Sequence, residues 1–267
     1  MKLYVIEEGT EDAVDPKTWF KYQGKYYPSW GSVNGRVKTQ DYDLAKYNRF
    51  AKIGIMADDI SGIFKENIEA DPESMEARCS YACLLMMEHG IRVGNESSAE
   101  GYISSEGEEV QTFGVTTLLR DHVRINEETN TLYLHFLGKT AVEHRIKIID
   151  DFLEKWGLYY FKHPNEIDTW LGIDYDVLFS FIRDTLGDGF NPKDFRTFRG
   201  NVAAWNYIGG KIESKQKMDT ATEANDLIRE MVEHVSDVLG NTPGVARSNY
   251  IDSRMIDWVK AMLLNDN

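Results

Sequence analysis

The sequence predicts an α+β protein, in which a small β-rich N-terminal domain over residues 1–43 precedes a mainly α domain over residues 44–267 with a three-stranded β meander. Three observations support this class. Short β-like runs separated by glycines lie near the N-terminus, helical periodicity begins near Leu44, and three strand-like runs follow one another between residues 122 and 148. With 42% hydrophobic and 12% aromatic residues, the composition is that of a globular protein with a sizeable core.

The N-terminal domain is predicted from short apolar and aromatic runs. They cover residues 3–6, 19–22 and 25–27, while Gly24 and the 31–35 stretch are turn signals. Runs of this length between turn residues are typical of short strands.

Two helices are predicted in the next part of the chain. Residues 55–69 carry apolar side chains at helical spacing. Asp71-Pro72 then predicts a helix start, with Asp71 as N-cap and Pro72 in the first helical position, and this helix should end near Gly90. Because residues 81–87 are apolar nearly all round, we expect this second helix to be buried.

The chain has two cysteines, Cys79 and Cys83, four residues apart in this second helix. Helix geometry disfavours a disulfide between them, and no histidine lies at metal-binding spacing, so we expect ordinary core residues. The histidines likewise show no ligand spacing and are interpreted as structural or surface residues: His89, His122, His135, His144, His163 and His234. The sequence therefore predicts no metal site.

The meander is predicted from strand-like runs at residues 122–125, 131–137 and 142–148. Polar turn residues separate the first two runs, and a Gly-Lys pair separates the last two. Lys139 is therefore expected at the tip of the second turn.

The remainder is predicted to be helical. One helix covers residues 175–186, and Asn191-Pro192 caps the start of the next. A long amphipathic helix covers residues 220–239, Tyr250 lies in a short segment, and residues 253–264 form the last helix.

The formal net charge of −14 is unusual for a protein that binds nucleic acid, since phosphate neutralisation supplies most of that affinity. Basic residues gather between Lys193 and Lys217, whereas acidic residues crowd residues 106–109 and 219–233. A nucleic-acid-binding function would therefore require segregated charge. No apolar run approaches the length of about 20 residues that spans a membrane, and the N-terminal apolar stretch is short for a signal peptide, so we expect an intracellular protein.

Several sequence blocks resemble, in order, those of type IB DNA topoisomerases of the poxvirus and bacterial kind, over about residues 44–260. The first two contain Arg92 and the segment that follows it; the others contain a Gly-Lys hairpin, a second arginine and a tyrosine. The blocks are Ile91-Arg92-Val93-Gly94-Asn95-Glu96, Thr112-Phe113-Gly114-Val115-Thr116-Thr117-Leu118, Phe136-Leu137-Gly138-Lys139, Lys193-Asp194-Phe195-Arg196-Thr197, Leu239-Gly240-Asn241-Thr242-Pro243 and Ser248-Asn249-Tyr250-Ile251, with Lys46-Tyr47-Asn48-Arg49-Phe50 upstream.

The resemblance implies a transesterification in which Tyr250 attacks a DNA phosphodiester and leaves a 3′-phosphotyrosine. A phenol is a weak nucleophile near neutral pH, so positive groups are needed to favour the phenolate. By the same resemblance, Arg92 and Arg196 stabilise charge on the non-bridging oxygens, and Lys139 acts as general acid with Lys193 on the same proton path. The family needs neither metal nor ATP and no other cofactor, because the phosphotyrosine conserves the bond energy.

Further positions follow from the resemblance. Asn241 stands nine residues before the tyrosine, where poxvirus members have histidine; an amide can donate a hydrogen bond to phosphate but cannot carry a proton. Gln40 and Tyr42 echo a segment with which the family reads duplex DNA. Residues 97–109 form a polar, acidic insertion.

The resemblance implies a protein that clamps double-stranded DNA, acts as a monomer and relaxes supercoils of both signs, in a bacterial cytoplasm or as a viral or phage protein. A tyrosine recombinase is the nearest alternative, although recombinases usually have histidine at the position of Lys193. The third hypothesis, motivated by the acidic charge and the short N-terminal domain, is a DNA-binding module with weak or lost catalysis.

Overall fold

The computed structural model describes residues 15–31, 42–103, 107, 109–126, 128–129, 131–165, 167–215 and 218–264. Its strands are β1 (Thr18–Tyr22), β2 (Lys25–Ser29), β3 (Tyr102–Ile103), β4 (Glu109–Val110), β5 (Val123–Ile125), β6 (Leu132–Gly138) and β7 (Val142–Lys147). Its helices are α1 (Tyr42–Ile55), α2 (Ala57–Ala70), α3 (Met75–His89), α4 (Glu96–Glu100), α5 (Asp151–Lys162), α6 (Tyr175–Leu186), α7 (Pro192–Glu213), α8 (Ala221–Leu239), α9 (Pro243–Asn249) and α10 (Ser253–Leu264). The predicted α+β class is confirmed.

The N-terminal hairpin forms as the turn signal predicts. β1 and β2 pair antiparallel around Gln23-Gly24, and both turn residues have positive φ, 48° and 79°. Two left-handed residues match the right-handed twist of a two-residue hairpin, and glycine adopts that conformation without steric cost.

This hairpin packs on the helices through aromatic rings. Phe20 stacks on Tyr27 with a centroid distance of 5.5 Å and meets Phe50 of α1 edge-on at 5.6 Å. These rings belong to the same buried core as α7. The predicted strand at residues 3–6 lies outside the described residues, and the boundary near residue 43 stays a prediction.

One predicted helix start is wrong. α3 begins at Met75, and its N-cap is Ser74, whose hydroxyl accepts a hydrogen bond from Ala77 N at 3.1 Å. Asp71 instead ends α2, and its carboxylate accepts from Glu73 N at 3.3 Å within the intervening turn. The Asp71 side chain is thus used in a local turn, which leaves the capping role to the next hydroxyl.

The burial predicted for α3 is confirmed. Every residue from Ala77 to Met87 is buried, and Cys79 and Cys83 are free thiols inside the core. The helix ends at Gly90, whose φ of 64° forms the left-handed cap.

The three-stranded meander is also confirmed, in the order β5-β6-β7 with antiparallel pairing throughout. Lys139 lies in a single 3₁₀ turn between β6 and β7. The acidic insertion forms α4 and the short pair β3–β4, and Ile103 at its described end is exposed.

α6, α8 and α10 begin and end within one residue of the predicted bounds, and α7 begins at the predicted cap, whereas no bounds were predicted for α5 and α9. α7 lies among α1, α3, α6, α8 and α10 and is buried along most of its length. Its first turn is fixed by a capping box, in which Asn191 accepts from Lys193 N and Asp194 accepts from Asn191 N at 2.9 Å. Within the described residues, none of the helices combines the length and apolar character needed to cross a bilayer.

Candidate active site

Tyr250 lies at the C-terminal end of α9, in the residue that caps the helix. Its backbone N donates to Ala246 O at 3.1 Å, and its carbonyl accepts from Asn201 Nδ2 of α7 at 2.8 Å. The residue is only 4% exposed. Two contacts from different helices therefore fix the backbone from which the phenol projects.

Close packing brings α7 against this backbone. A Cβ added to Gly200 would lie 3.0 Å from Tyr250 Cβ and 3.1 Å from its carbonyl oxygen. A side chain at this position would force the two segments apart by a few tenths of an ångström. α7 consequently presents Arg196, one turn before Gly200, and Lys193, two turns before it, to the tyrosine ring.

Arg196 is 2% exposed and joins the ends of two helices. Its guanidinium donates to Gly90 O, at the end of α3, and to Leu239 O, at the end of α8, the latter at 2.8 Å. Helix C-termini carry partial negative charge and therefore stabilise a buried cation. Burial, with a smaller effect of Arg92, lowers the pKa of Arg196 to about 10, so it stays protonated at neutral pH.

Arg92 follows the cap of α3 and is held through its backbone. Its carbonyl accepts from Val115 N at 2.7 Å, in the segment that the sequence blocks pair with it. Its guanidinium donates to Asn241 Oδ1. This bond orients the amide, because Asn241 then turns its Nδ2 donor away from the arginine.

Three buried donors in this cluster have no hydrogen-bond partner among the described residues. They are Arg92 Nε, Arg196 Nε and Asn241 Nδ2. A buried donor without an acceptor costs free energy, and such groups are expected where a ligand supplies the acceptor. Donors alone, two of them on cations, suit an anion such as a phosphodiester.

The phenol is tuned by the same cations. The Arg196 Cζ lies 5.1 Å and the Lys193 Nζ 5.6 Å from the centroid of the Tyr250 ring. Burial would raise the pKa of the phenol, but the charges of Arg196, Arg92 and Lys193 outweigh it and lower the Tyr250 pKa below its ordinary value. The site thus favours the phenolate.

Lys193 is supported by a buried ion pair beside it. Asp194, 2% exposed, accepts from Arg49 Nε of α1 at 2.9 Å. Burial raises the pKa of the Asp194 carboxyl, while Arg49 opposes that shift. The pair ties α1 to the first turn of α7 and thereby fixes the backbone of Lys193.

Lys139 lies on the β6–β7 hairpin at the side of this cluster. The hairpin is joined to the segment after Arg92 by the bond from Phe113 N to Leu137 O, 2.7 Å. The structure thus brings five of the predicted residues together in one cluster, namely Arg92, Lys193, Arg196, Asn241 and Tyr250. It places Lys139 on the adjoining turn.

The DNA-reading prediction falls outside the described parts. Gln40 is not described, and of Tyr42 only its backbone, the first residue of α1, is. Both assignments stay predictions.

Two residues near the site were not predicted to take part in it. Asn201 holds the Tyr250 carbonyl, and His144 of β7 lies close enough to Arg196 and Arg92 to be affected by both charges. Neither falls in a sequence block of the cluster, and only the folded chain brings them there. The structure also shows, within its described residues, no group of three or more His, Cys, Asp or Glu side chains arranged to hold a metal.

Comparison with known proteins agrees with this geometry. The model of the family described as eukaryotic DNA topoisomerase I, catalytic core, matches residues 35–262. A search of characterised proteins gave no match. Because the family match covers most of the chain, the chain belongs to the type IB DNA topoisomerases and is a type I DNA topoisomerase that acts on DNA.

Proposed function

We propose that this type IB topoisomerase relaxes both positive and negative supercoils by transient cleavage of one strand, through a 3′-phosphotyrosine at Tyr250, without metal or ATP. The observation that carries the proposal is the cluster of cations and unpartnered buried donors around a phenol whose pKa is lowered. We also propose that it belongs with the poxvirus and bacterial members and acts as a monomer that clamps double-stranded DNA, with residues 1–43 as part of the clamp.

In the cleavage step, the Tyr250 oxygen attacks the phosphorus and the bond to the 5′-oxygen breaks. Negative charge grows on the non-bridging oxygens, where Arg92 and Arg196 can offer their free Nε donors together with Asn241 Nδ2. The bond between Arg92 and Asn241 keeps two of these donors in a fixed relation before DNA arrives. Preorganised donors stabilise the transition state without a cost of reorganisation.

The leaving 5′-oxygen needs a proton, since an alkoxide is a poor leaving group. We assign the donation of this proton to Lys139, which lies on the exposed hairpin turn. Lys193, close to the phenol, lies on the same proton-transfer path. The reverse attack of the 5′-hydroxyl on the phosphotyrosine restores the strand and releases Tyr250. No nucleotide is consumed because each step exchanges one phosphodiester for another.

The test is relaxation of positively and negatively supercoiled plasmids in EDTA without ATP, over a range of salt concentrations. Wild type is expected to relax both, and Tyr250→Phe neither. Tyr175→Phe is the matched control, because Tyr175 is 40% exposed and lies on α6, outside both the cluster and residues 1–43, and it should retain full activity. Strands labelled at either end should show protein attached to the 3′-phosphate of the wild type only.

A wild type that shifts DNA on a gel but neither relaxes plasmid nor forms an adduct at any salt concentration would overturn the proposal. That outcome would favour a binding module. Exchange of strands between two sites would instead favour a recombinase.

A further inference from the structure

The ring of His144 lies at the junction between the Lys139 turn and the Asn241 turn. On β7, His144 is opposite Phe136, and the two rings stack with a centroid distance of 4.8 Å and an interplanar angle of 8°. Phe136 is buried. The imidazole is therefore held flat against the core of the meander.

The far edge of this ring meets two glycines. A Cβ added to Gly138 would lie 2.5 Å from His144 Nε2, and one added to Gly240 would lie 2.2 Å from His144 Cε1. Real Cβ atoms essentially never come so close, so the ring occupies space that any side chain at either position would need. Gly138 immediately precedes Lys139, and Gly240 immediately precedes Asn241.

Two charges act on the ring from facing elements, and both are positive. Burial, then Arg196 of α7, then Arg92 after α3 lower the pKa of His144 to about 4. On its own hairpin the nearest charged neighbours along the chain are Glu143 and Arg145, and both are exposed. The imidazole is therefore neutral at physiological pH, and it adds no repulsive charge beside the two guanidiniums.

We propose that His144 is a positioning residue for DNA cleavage, in which the neutral ring acts as a spacer that sets the Lys139 turn against the Asn241 turn. The inference rests on the proposed function. In the step it serves, the P–O bond to Tyr250 forms, the bond to the 5′-oxygen breaks, and the Lys139 ammonium gives its proton to that oxygen. The proton of the phenol passes to solvent.

The reason for a spacer is geometric. Proton transfer in the transition state requires the acid within hydrogen-bond reach of the leaving oxygen. Lys139 lies in the single 3₁₀ turn that joins β6 to β7, two residues before Ala141, which has a φ of 57°. Contact of the ring with Gly138 on one side and Gly240 on the other fixes that turn relative to the donors that bind the phosphate.

The test is single-turnover cleavage of a duplex oligonucleotide that traps the covalent adduct, with either an ordinary phosphodiester or a sulfur atom in place of the bridging 5′-oxygen. A thiolate leaves without protonation, so sulfur removes the need for the acid. His144→Ala should slow cleavage of the ordinary substrate, by about 10- to 100-fold for a displacement near 1 Å. It should cleave the sulfur substrate within a few-fold of wild type.

Three further variants calibrate this result. Lys139→Ala, which lacks the acid, should also be restored by sulfur, whereas Arg92→Ala, which lacks a phosphate donor, should not. His144→Leu, which keeps much of the ring volume, should lie between His144→Ala and wild type on the ordinary substrate. Restored cleavage by either His144 variant shows at the same time that the variant is folded.

A double-mutant cycle tests the contact itself. Gly138 has a φ of −86°, which any residue adopts, so Gly138→Ala disturbs the chain only through the added Cβ. Gly138→Ala should slow cleavage strongly when His144 is present and little in the His144→Ala background, because the colliding ring is then absent. Equal effects in both backgrounds would overturn the spacer.

The outcomes separate the two proposals. If wild type forms no adduct with either substrate, the proposed function fails and the inference with it. If wild type cleaves and the His144 variants cleave the ordinary substrate at the wild-type rate, or slow equally on both substrates, only the inference fails.

Discussion

Replacing Asn201 by leucine should loosen the segment that carries Tyr250. The amide is 3% exposed and bridges α7 to the chain on both sides of Ile251. Its Nδ2 donates to Thr197 O and to Tyr250 O, each at 2.8 Å, and its Oδ1 accepts from Asp252 N at 2.9 Å. Leucine has nearly the same shape but makes none of these bonds.

The cost follows from what the substitution leaves unpaired. The Thr197 carbonyl keeps its helical partner, whereas the Tyr250 carbonyl and the Asp252 N–H are buried and lose the partner that the structure gives them. A buried backbone group without a hydrogen bond costs about 1–3 kcal/mol, so two of them cost about 2–6 kcal/mol. A segment freed to relieve that cost no longer holds the phenol beside Arg196.

Two measurements on Asn201→Leu test this reasoning. Urea denaturation should show a lower midpoint, and adduct formation at a temperature where the variant is folded should be slower than in wild type. Asn225→Leu is the control, because Asn225 is exposed on α8 and its replacement is the same chemical change at a position without these hydrogen bonds. An Asn201→Leu variant with wild-type stability and a wild-type cleavage rate would refute the role given to the bridge.

Three further changes have defined outcomes. Gly200→Ala should slow adduct formation at a cost of about 1–3 kcal/mol in stability, since its Cβ would press on Tyr250, and unchanged kinetics would count against the close packing. Arg49→Leu should lower the free energy of unfolding by about 3–5 kcal/mol, because it leaves the Asp194 carboxylate buried without its ion pair; a loss below about 1 kcal/mol would show that the carboxyl is neutral or solvated. Burial and then the charge of Arg199 lower the pKa of His89 to about 4 from 6.5, so the unfolded chain binds a proton that the folded chain refuses between these pH values. The free energy of unfolding should therefore be unaffected by His89 above pH 6.5 and should decrease as the pH falls towards 4. In urea denaturation at successive pH values, His89→Gln should reduce this decrease.

Much of the fold could be predicted because local signals and tertiary packing agree. α6 begins after Asp174, whose carboxylate accepts from Val177 N at 2.8 Å, and it ends at Gly187, so caps at both ends mark the bounds the periodicity predicts. α3 was misplaced by three residues because Asp71 and Ser74 are both good caps, and nothing local decides between them.

No bounds were predicted for α5, although the chain after the meander was expected to be mainly helical. α5 is rich in aromatic residues, which have only modest helix propensity, and its helical face becomes evident when packed. Tyr81 of α3 donates to Leu153 O at 2.8 Å and lies edge-on to Tyr160 at 5.2 Å. These contacts join residues about 70 positions apart, and no window of sequence contains both sides.

The candidate site was predictable to the extent that each predicted residue of the cluster stands in a recognisable block. The blocks could not show that Arg92 binds the amide of Asn241, or that Arg196 links the ends of α3 and α8, since each contact crosses more than 40 residues of chain. Asn201 and His144 were missed for the same reason. Their roles depend on which backbone groups and glycines come to lie against them.

The contact of Arg196 with Leu239 bears on how a chain of net charge −14 can hold a phosphodiester. The solvent face of α8 carries exposed acids, among them Glu223 and Glu230, but α8 points its C-terminal end at the site. At about 1.5 Å per residue, Glu223 lies about 24 Å and Glu230 about 14 Å along the helix from Leu239. Screening at physiological salt acts over about 8 Å, so Glu223 and Glu230 contribute little at the phosphate, whereas the exposed Asp237, two residues before Leu239, lies within that range and opposes the cations. Arg92, Lys193 and Arg196 make the electrostatic potential at the cluster positive. The carbonyl at the C-terminal end of α8, which carries partial negative charge, accepts a hydrogen bond from the Arg196 guanidinium. We therefore expect phosphate binding to depend on the charges within this short range and not on the net charge.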